Sequence, residues 1–172
     1  AGKKRFAQMA DMTQRDANNA VDLYRNSMRS VTRLWGDYNS GISCAYHLSV
    51  NGDLTTFTVD LPSNRALDYG LIRTSGKGED RHYYAYLMRH GKNVAVKMWG
   101  GFVAENASQA LARDIFSDML VRIDEAGYKI VLHVHDEVVI EADADQAEES
   151  LQHILKIMSE PPDWIPDIPL AA

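Results

Sequence analysis

The chain has 172 residues, with 45% hydrophobic and 24% charged residues and a formal net charge of −6. That is enough chain for one domain or two small ones with a buried core, and it excludes a collagen-like, disordered or membrane-spanning class. A single cysteine, Cys44, excludes an internal disulfide or a cysteine-based zinc site and suits a reducing compartment. The charge is unevenly spread: Ala1–Lys97 holds 14 basic and 9 acidic residues, whereas Met98–Ala172 holds 4 and 15. A basic first part can meet phosphates, and an acidic second part can hold divalent cations.

In chain order, Ala1–Ala10 is a short basic segment. The first residue is Ala1 rather than Met, which points to a processed or excised piece. Thr13 with Asp16 reads as an N-cap, and a long helix is expected to run from there to about Tyr38. Tyr24, Met28, Val31 and Trp35 give that helix an apolar packing face. Ile42–Val50, an Asn51-Gly52-Asp53 corner and Leu54–Leu61 read as a β-hairpin. Arg65–Tyr69 reads as a short strand, and the glycine- and charge-rich Thr74–Asp80 as an exposed loop. His82–Met88 and Val94–Trp99 form a second predicted hairpin around His90–Asn93.

After Gly100-Gly101 a helix is expected from about Val103 to Ala126, with Gly127 as its C′ residue. Lys129–Val134 and Glu137–Ile140 then form a hairpin cornered at His135-Asp136. Strict alternation would put Ile130, Leu132 and Val134 on one face, and Val131, His133 and His135 on the other. A final acidic helix over about Asp145–Met158 is closed by Pro161-Pro162, and the tail is irregular.

Two places carry chemistry. Two-residue hairpin corners favour Asn-Gly or Asp-Gly, because their backbone needs positive φ. His135-Asp136 is poor turn chemistry, and such local conflicts fall where function overrides foldability. Asp136 and Glu137 could there hold a hard cation such as Mg²⁺, although a two-metal site needs a further carboxylate. On the preceding helix, Asn106, Gln109 and Arg113 share one side, where amides and Arg can read base edges or sugar–phosphate. On pattern alone, the corner fits ordinary solvated surface equally well, and the helix face fits it better.

The segment VLHVHDEVVIE resembles motif C of the family A DNA polymerases, the bacterial polymerase I type and especially its phage members. GGFVAENASQALARDIF is similar to the helix that precedes motif C, and LPSNRALDY to the LPSGR-type strand that enters the palm. DLYRNSMRSVTRLW resembles the helix after motif B, and MSEPPDWIPDIPLAA the ending of phage members. The resemblance implies an α+β fold: an antiparallel palm sheet whose motif C hairpin packs against long helices. Residues 1–41 would be the end of the fingers and 42–172 part of the palm.

It further implies template-directed nucleotidyl transfer from a dNTP to a primer 3′-hydroxyl, with two Mg²⁺ ions. Asp136 matches a metal ligand, and Glu137 its acidic neighbour. His135 matches a primer contact and Gln109 a minor-groove amide, with Asn106, Arg113 and Arg65 as further DNA-binding positions. Glu105 departs from the family's frequent Asn four residues before the Gln, and a basic residue common near Gly101–Phe102 is missing. Motifs A and B would precede Ala1, so the chain is expected to be inactive alone. The implied partners are primer–template DNA, dNTP and an N-terminal remainder, without a membrane. The implied setting is the cytoplasm of a bacterium or of a phage-infected host cell. The alternatives are a non-catalytic DNA-binding remnant, a complementing subunit of a split polymerase, and a phosphohydrolase drawing on Asp60 or Asp68.

Overall fold

Thr13 opens the first long helix as the sequence implies. Its hydroxyl accepts from the Asp16 N–H at 3.2 Å and donates to the Asp16 carboxylate at 2.7 Å, satisfying an otherwise orphaned amide. The computed structural model of the chain describes residues 2–51, 55–76 and 78–172. In order the elements are α1 (Lys3–Met9), α2 (Gln14–Ser27), α3 (Arg29–Val50), β1 (Thr58–Asp60), β2 (Ala66–Asp68), β3 (Arg73–Ser75) and a 3₁₀ turn (Gly78–Asp80). There follow β4 (His82–Arg89), β5 (Lys92–Met98), α4 (Gly100–Glu125), β6 (Lys129–Val134), β7 (Glu137–Glu141) and α5 (Ala147–Ser159). The fold is α+β, with three separate antiparallel sheets among the described residues: β1-β2, β3-β4-β5 and β6-β7. Among the described residues no helix is long and apolar enough to cross a membrane.

The chain divides into two compact units, Ala1–Phe57 with Tyr69–Ala104, and Thr58–Asp68 with Glu105–Ala172.

In the first unit the sequence reading needs correction, first in its helices. The helix opened by Thr13 does not reach Tyr38, because the backbone leaves helical geometry at Met28 (φ −103°, ψ 56°). The Ser27 hydroxyl donates to the Leu23 carbonyl and Arg29 Nε to the Asn26 carbonyl, so side chains take up the terminal acceptors without a Gly or Pro. The second correction is larger: Ile42–Val50, read as a strand, is the end of α3. Ile42 and Ala45 are buried three residues apart, and Tyr46 meets Tyr83 edge-on at 5.7 Å. That is a 3.6-residue period, which a short apolar run does not disclose by itself. Ser49 Oγ donates to both Ala45 O and Thr55 O. Part of the expected hairpin, Gly52 to Leu54, lies outside the described residues.

The second predicted hairpin forms with a tighter corner than His90–Asn93. β4 and β5 close over His90-Gly91, both at positive φ (49° and 74°), the sign pattern of a type I′ turn. Arg73–Ser75, partly assigned to the exposed loop, instead pairs with β4 as an edge strand. The helix after Gly100-Gly101 begins at Gly100 and not at Val103. Both glycines are required by close approach: a Cβ on Gly100 would stand 1.9 Å from the Trp35 carbonyl oxygen, and one on Gly101 2.0 Å from the Trp99 ring. Asn39 Oδ1 accepts from the Gly100 N–H at 2.7 Å. The expected packing stripe is only partly covered: Tyr24 stacks on Trp35, yet Tyr24 and Met28 remain exposed.

In the second unit α4 ends as predicted. Gly127 takes φ 88°, its N–H bonds to Asp124 O and the Tyr128 N–H bonds to Ile123 O. These are the two bonds of a Schellman ending. Tyr128 packs beside the buried cluster of Ile123, Ile154 and Ile157, joined by Ile130, Val138 and Ile140 of the hairpin. The β6-β7 hairpin is thus seated against α4 and α5. The tail has no regular element, but it is not loose: Trp164, Ile165, Ile168 and Leu170 pack against Ile115, Phe116 and Met119.

Candidate functional site

The site is built on β6 and β7, which meet at the two-residue turn His135-Asp136. His135 takes φ 53°, a left-handed conformation uncommon among residues other than glycine. A non-glycine residue held there stores on the order of 1–3 kcal/mol of strain. His135→Gly is therefore expected to raise stability by up to about 1 kcal/mol, since the relief exceeds the extra unfolded-state freedom of glycine. Thermal melting checks the sign: a lower midpoint would show that the imidazole contributes more than the strain removes.

The two faces of the hairpin differ from strict alternation. Ile130 pairs with Ile140 and Leu132 with Val139, so Val131 is an extra residue, a β-bulge. One inserted residue reverses the alternation beyond it. Ile130 and His133 consequently share the inner face with Ile140 and Val138, while Leu132 and Val134 lie opposite Val139 and Glu137. The expected grouping of Ile130 with Leu132 and Val134 fails for this reason. His133 meets Phe116 of α4 edge-on at 5.9 Å, and Leu132 is 55% exposed.

His135, Asp136 and Glu137 are all exposed, and their side chains form no hydrogen bond or ion pair with any described residue. Asp136 lines a cavity of about 500 Å³ together with Ser108, Leu111, Ile115 and Phe116 of α4, Met158, and Ile168, Leu170, Ala171 and Ala172 of the tail. The carboxylate stands at the edge of a mostly apolar hollow. Among the described residues no group of three or more His, Cys, Asp or Glu side chains could hold a metal ion. Asp60 and Asp68, the extra carboxylates of the hydrolase reading, therefore complete no such group with Asp136 and Glu137. Two adjacent uncommitted carboxylates do fit a hard cation that takes one or two protein carboxylates and completes its shell from substrate phosphates.

On α4, Arg113 lies over the Phe116 ring with its guanidinium carbon 5.9 Å from the centroid. Phe116 in turn touches His133, so a contact chain joins the Arg113 side of the helix to the hairpin. Gln109 is exposed, and Asn106 is half-buried and engaged. Arg65 is committed: Nε and one terminal nitrogen each lie 2.9 Å from Asp114 Oδ1, and the latter also donates to Ala110 O at 3.1 Å. The Ser63 hydroxyl holds the other Asp114 oxygen at 2.5 Å. This fork fastens the Pro62–Arg65 turn onto α4, and it leaves Arg65 half-exposed, with donors still facing water. Sequence reading missed Asp114 as its anchor and Phe116 as the link. It also missed Ile168 and Leu170 as a cavity wall, although apolar residues alternating with prolines in IPDIPL were a usable signal.

No family model matches the chain, and no solved structure matches it. The DNA polymerase of Bacillus phage SP02 is 30% identical over 165 aligned residues, which take in 88% of this chain. The chain is similar to a phage DNA polymerase. It spans about 25% of that relative's length.

Proposed function

We propose that this chain is the motif C portion of a family A DNA polymerase, with residues 1–41 ending the fingers and 42–172 contributing to the palm. One observation carries the reading: an uncommitted Asp136-Glu137 pair, displayed at a strained turn, in a chain 30% identical to a phage polymerase. The reaction is templated transfer of a nucleotide from a dNTP to a primer 3′-hydroxyl. Asp136 would hold Mg²⁺, with Glu137 contributing from the outer sphere. When bound, the metal lowers the pKa of the hydroxyl and neutralises charge as pyrophosphate leaves.

This chain's own residues would then position DNA. His135 would meet the primer strand near its 3′ end, and Gln109 the minor groove of the newest base pair. Asn106, Arg113 and the water-facing donors of Arg65 would contact the strands beside them. The second metal-binding carboxylate, with motifs A and B, would come from the remainder of the polymerase. Support for that comes from the quarter-length coverage.

The test uses a chimera in which this chain replaces the aligned quarter of the phage SP02 enzyme. With Mg²⁺ the chimera should extend a primer, and the chain alone should not. Templated extension by the isolated chain would refute the division of the site.

A further inference from the structure

The β3-β4-β5 sheet has a face that the corner chemistry does not use. Along β4, Tyr83, Ala85 and Leu87 alternate with Tyr84, Tyr86 and Met88. The first set faces α3: the Tyr83 hydroxyl lies 3.0 Å from Ser43 Oγ, and Ala85 is fully buried. Tyr84, Tyr86 and Met88 therefore point the opposite way, and Tyr86 and Met88 are 58% and 68% exposed. Register sets Arg73 of β3 and Lys97 of β5 on either side of Tyr84, while Ala95 and Asn93 stand beside Tyr86 and Met88. The small Ala95 leaves the neighbouring ring accessible. No acidic residue occurs between Arg81 and Ala104, whereas the chain as a whole carries −6.

We propose that this face binds single-stranded DNA, with bases stacked on Tyr84 and Tyr86 and phosphates met by Arg73 and Lys97. Two rings at alternate positions of a strand stand ~7 Å apart, so an extended strand can lay one base on each. A duplex keeps its base faces stacked inside, and a row of cations with no carboxylate favours a polyanion over a protein. The choice of DNA rests on the polymerase reading; the surface itself does not depend on Asp136.

The experiment is fluorescence anisotropy of a labelled oligothymidylate against the full chain at low salt. Tyr84→Ala with Tyr86→Ala should weaken binding about tenfold or more, and Tyr86→Phe should bind like the parent. Tyr84→Leu with Tyr86→Leu keeps apolar bulk and serves if the alanine pair melts early; it should lose affinity equally. Arg73→Ala and Lys97→Ala should each reduce the salt slope by roughly 0.7. Parental affinity in both tyrosine pairs would overturn the proposal, even with the chimera still extending primers. So would equal binding of a duplex through the same residues, or a tyrosine-dependent dimer of the chain.

Discussion

Asp136→Asn is expected to reduce templated incorporation by the chimera on the order of a thousandfold, while leaving its melting midpoint unchanged. The two halves of this result have separate causes. Asp136 is exposed and bonded to no described side chain, so removing its charge breaks nothing that folds the hairpin. Asn has nearly the same shape and is itself a favoured turn residue, so the corner is preserved. What is lost is an anionic oxygen ligand for a hard cation, and single electrostatic groups at reacting centres contribute about 10²–10³ each, with a metal ligand at the upper end. Glu137→Gln should cost about tenfold, as suits an outer-sphere contributor. Single-turnover extension with the remainder of the polymerase supplied measures both. Full activity of Asp136→Asn would remove Asp136 from the metal site.

Ile123→Ala is expected to destabilise the second unit by about 3 kcal/mol, and Ile123→Val by about 1 kcal/mol. Ile123 is 0% exposed and sits where three elements meet: its own carbonyl receives the Tyr128 N–H, and its side chain touches the Ile154 and Ile157 cluster. Ile130, Val138 and Ile140 reach the core through this same cluster, while Leu132, Val134 and Val139 of the hairpin lie exposed. Truncation should therefore loosen the strands that carry the corner before it loosens the tail. Chemical denaturation gives the cost, and amide exchange across Lys129–Glu141 locates it. A loss under 1 kcal/mol, with exchange unchanged there, would mean that the hairpin is held by something other than this cluster.

How far the sequence discloses these features depends on the range of the forces involved. The Thr13 cap and the Gly127 ending are local: a few adjacent residues fix each backbone, and each reads correctly. The corner at His135-Asp136 is legible for the opposite reason, as a residue pair that turn chemistry does not favour. Ile42–Val50 misleads because its helical period emerges only when Tyr46 finds Tyr83, a partner distant in the chain. The bulge at Val131 is invisible because both alternations present aliphatic residues, and the inner face is decided by Ile154 and Ile157. Arg65 reads as a free cation; its attachment to Asp114 depends on how the Pro62–Arg65 turn meets α4.

The tail wall has a practical consequence for anyone handling the protein. Ala171 and Ala172 line the same hollow as Asp136, and the Ala172 N–H bonds to Ser159 Oγ. Any residue joined after Ala172, native or added, begins its path at the rim of the carboxylate. A purification handle fused there would crowd the ground beside Asp136, where the proposed function brings a primer end and a nucleotide, and would mimic an inactivating substitution. Handles and fluorophores belong on the amino-terminal side, and a series of short carboxy-terminal extensions would itself gauge how much room the corner has.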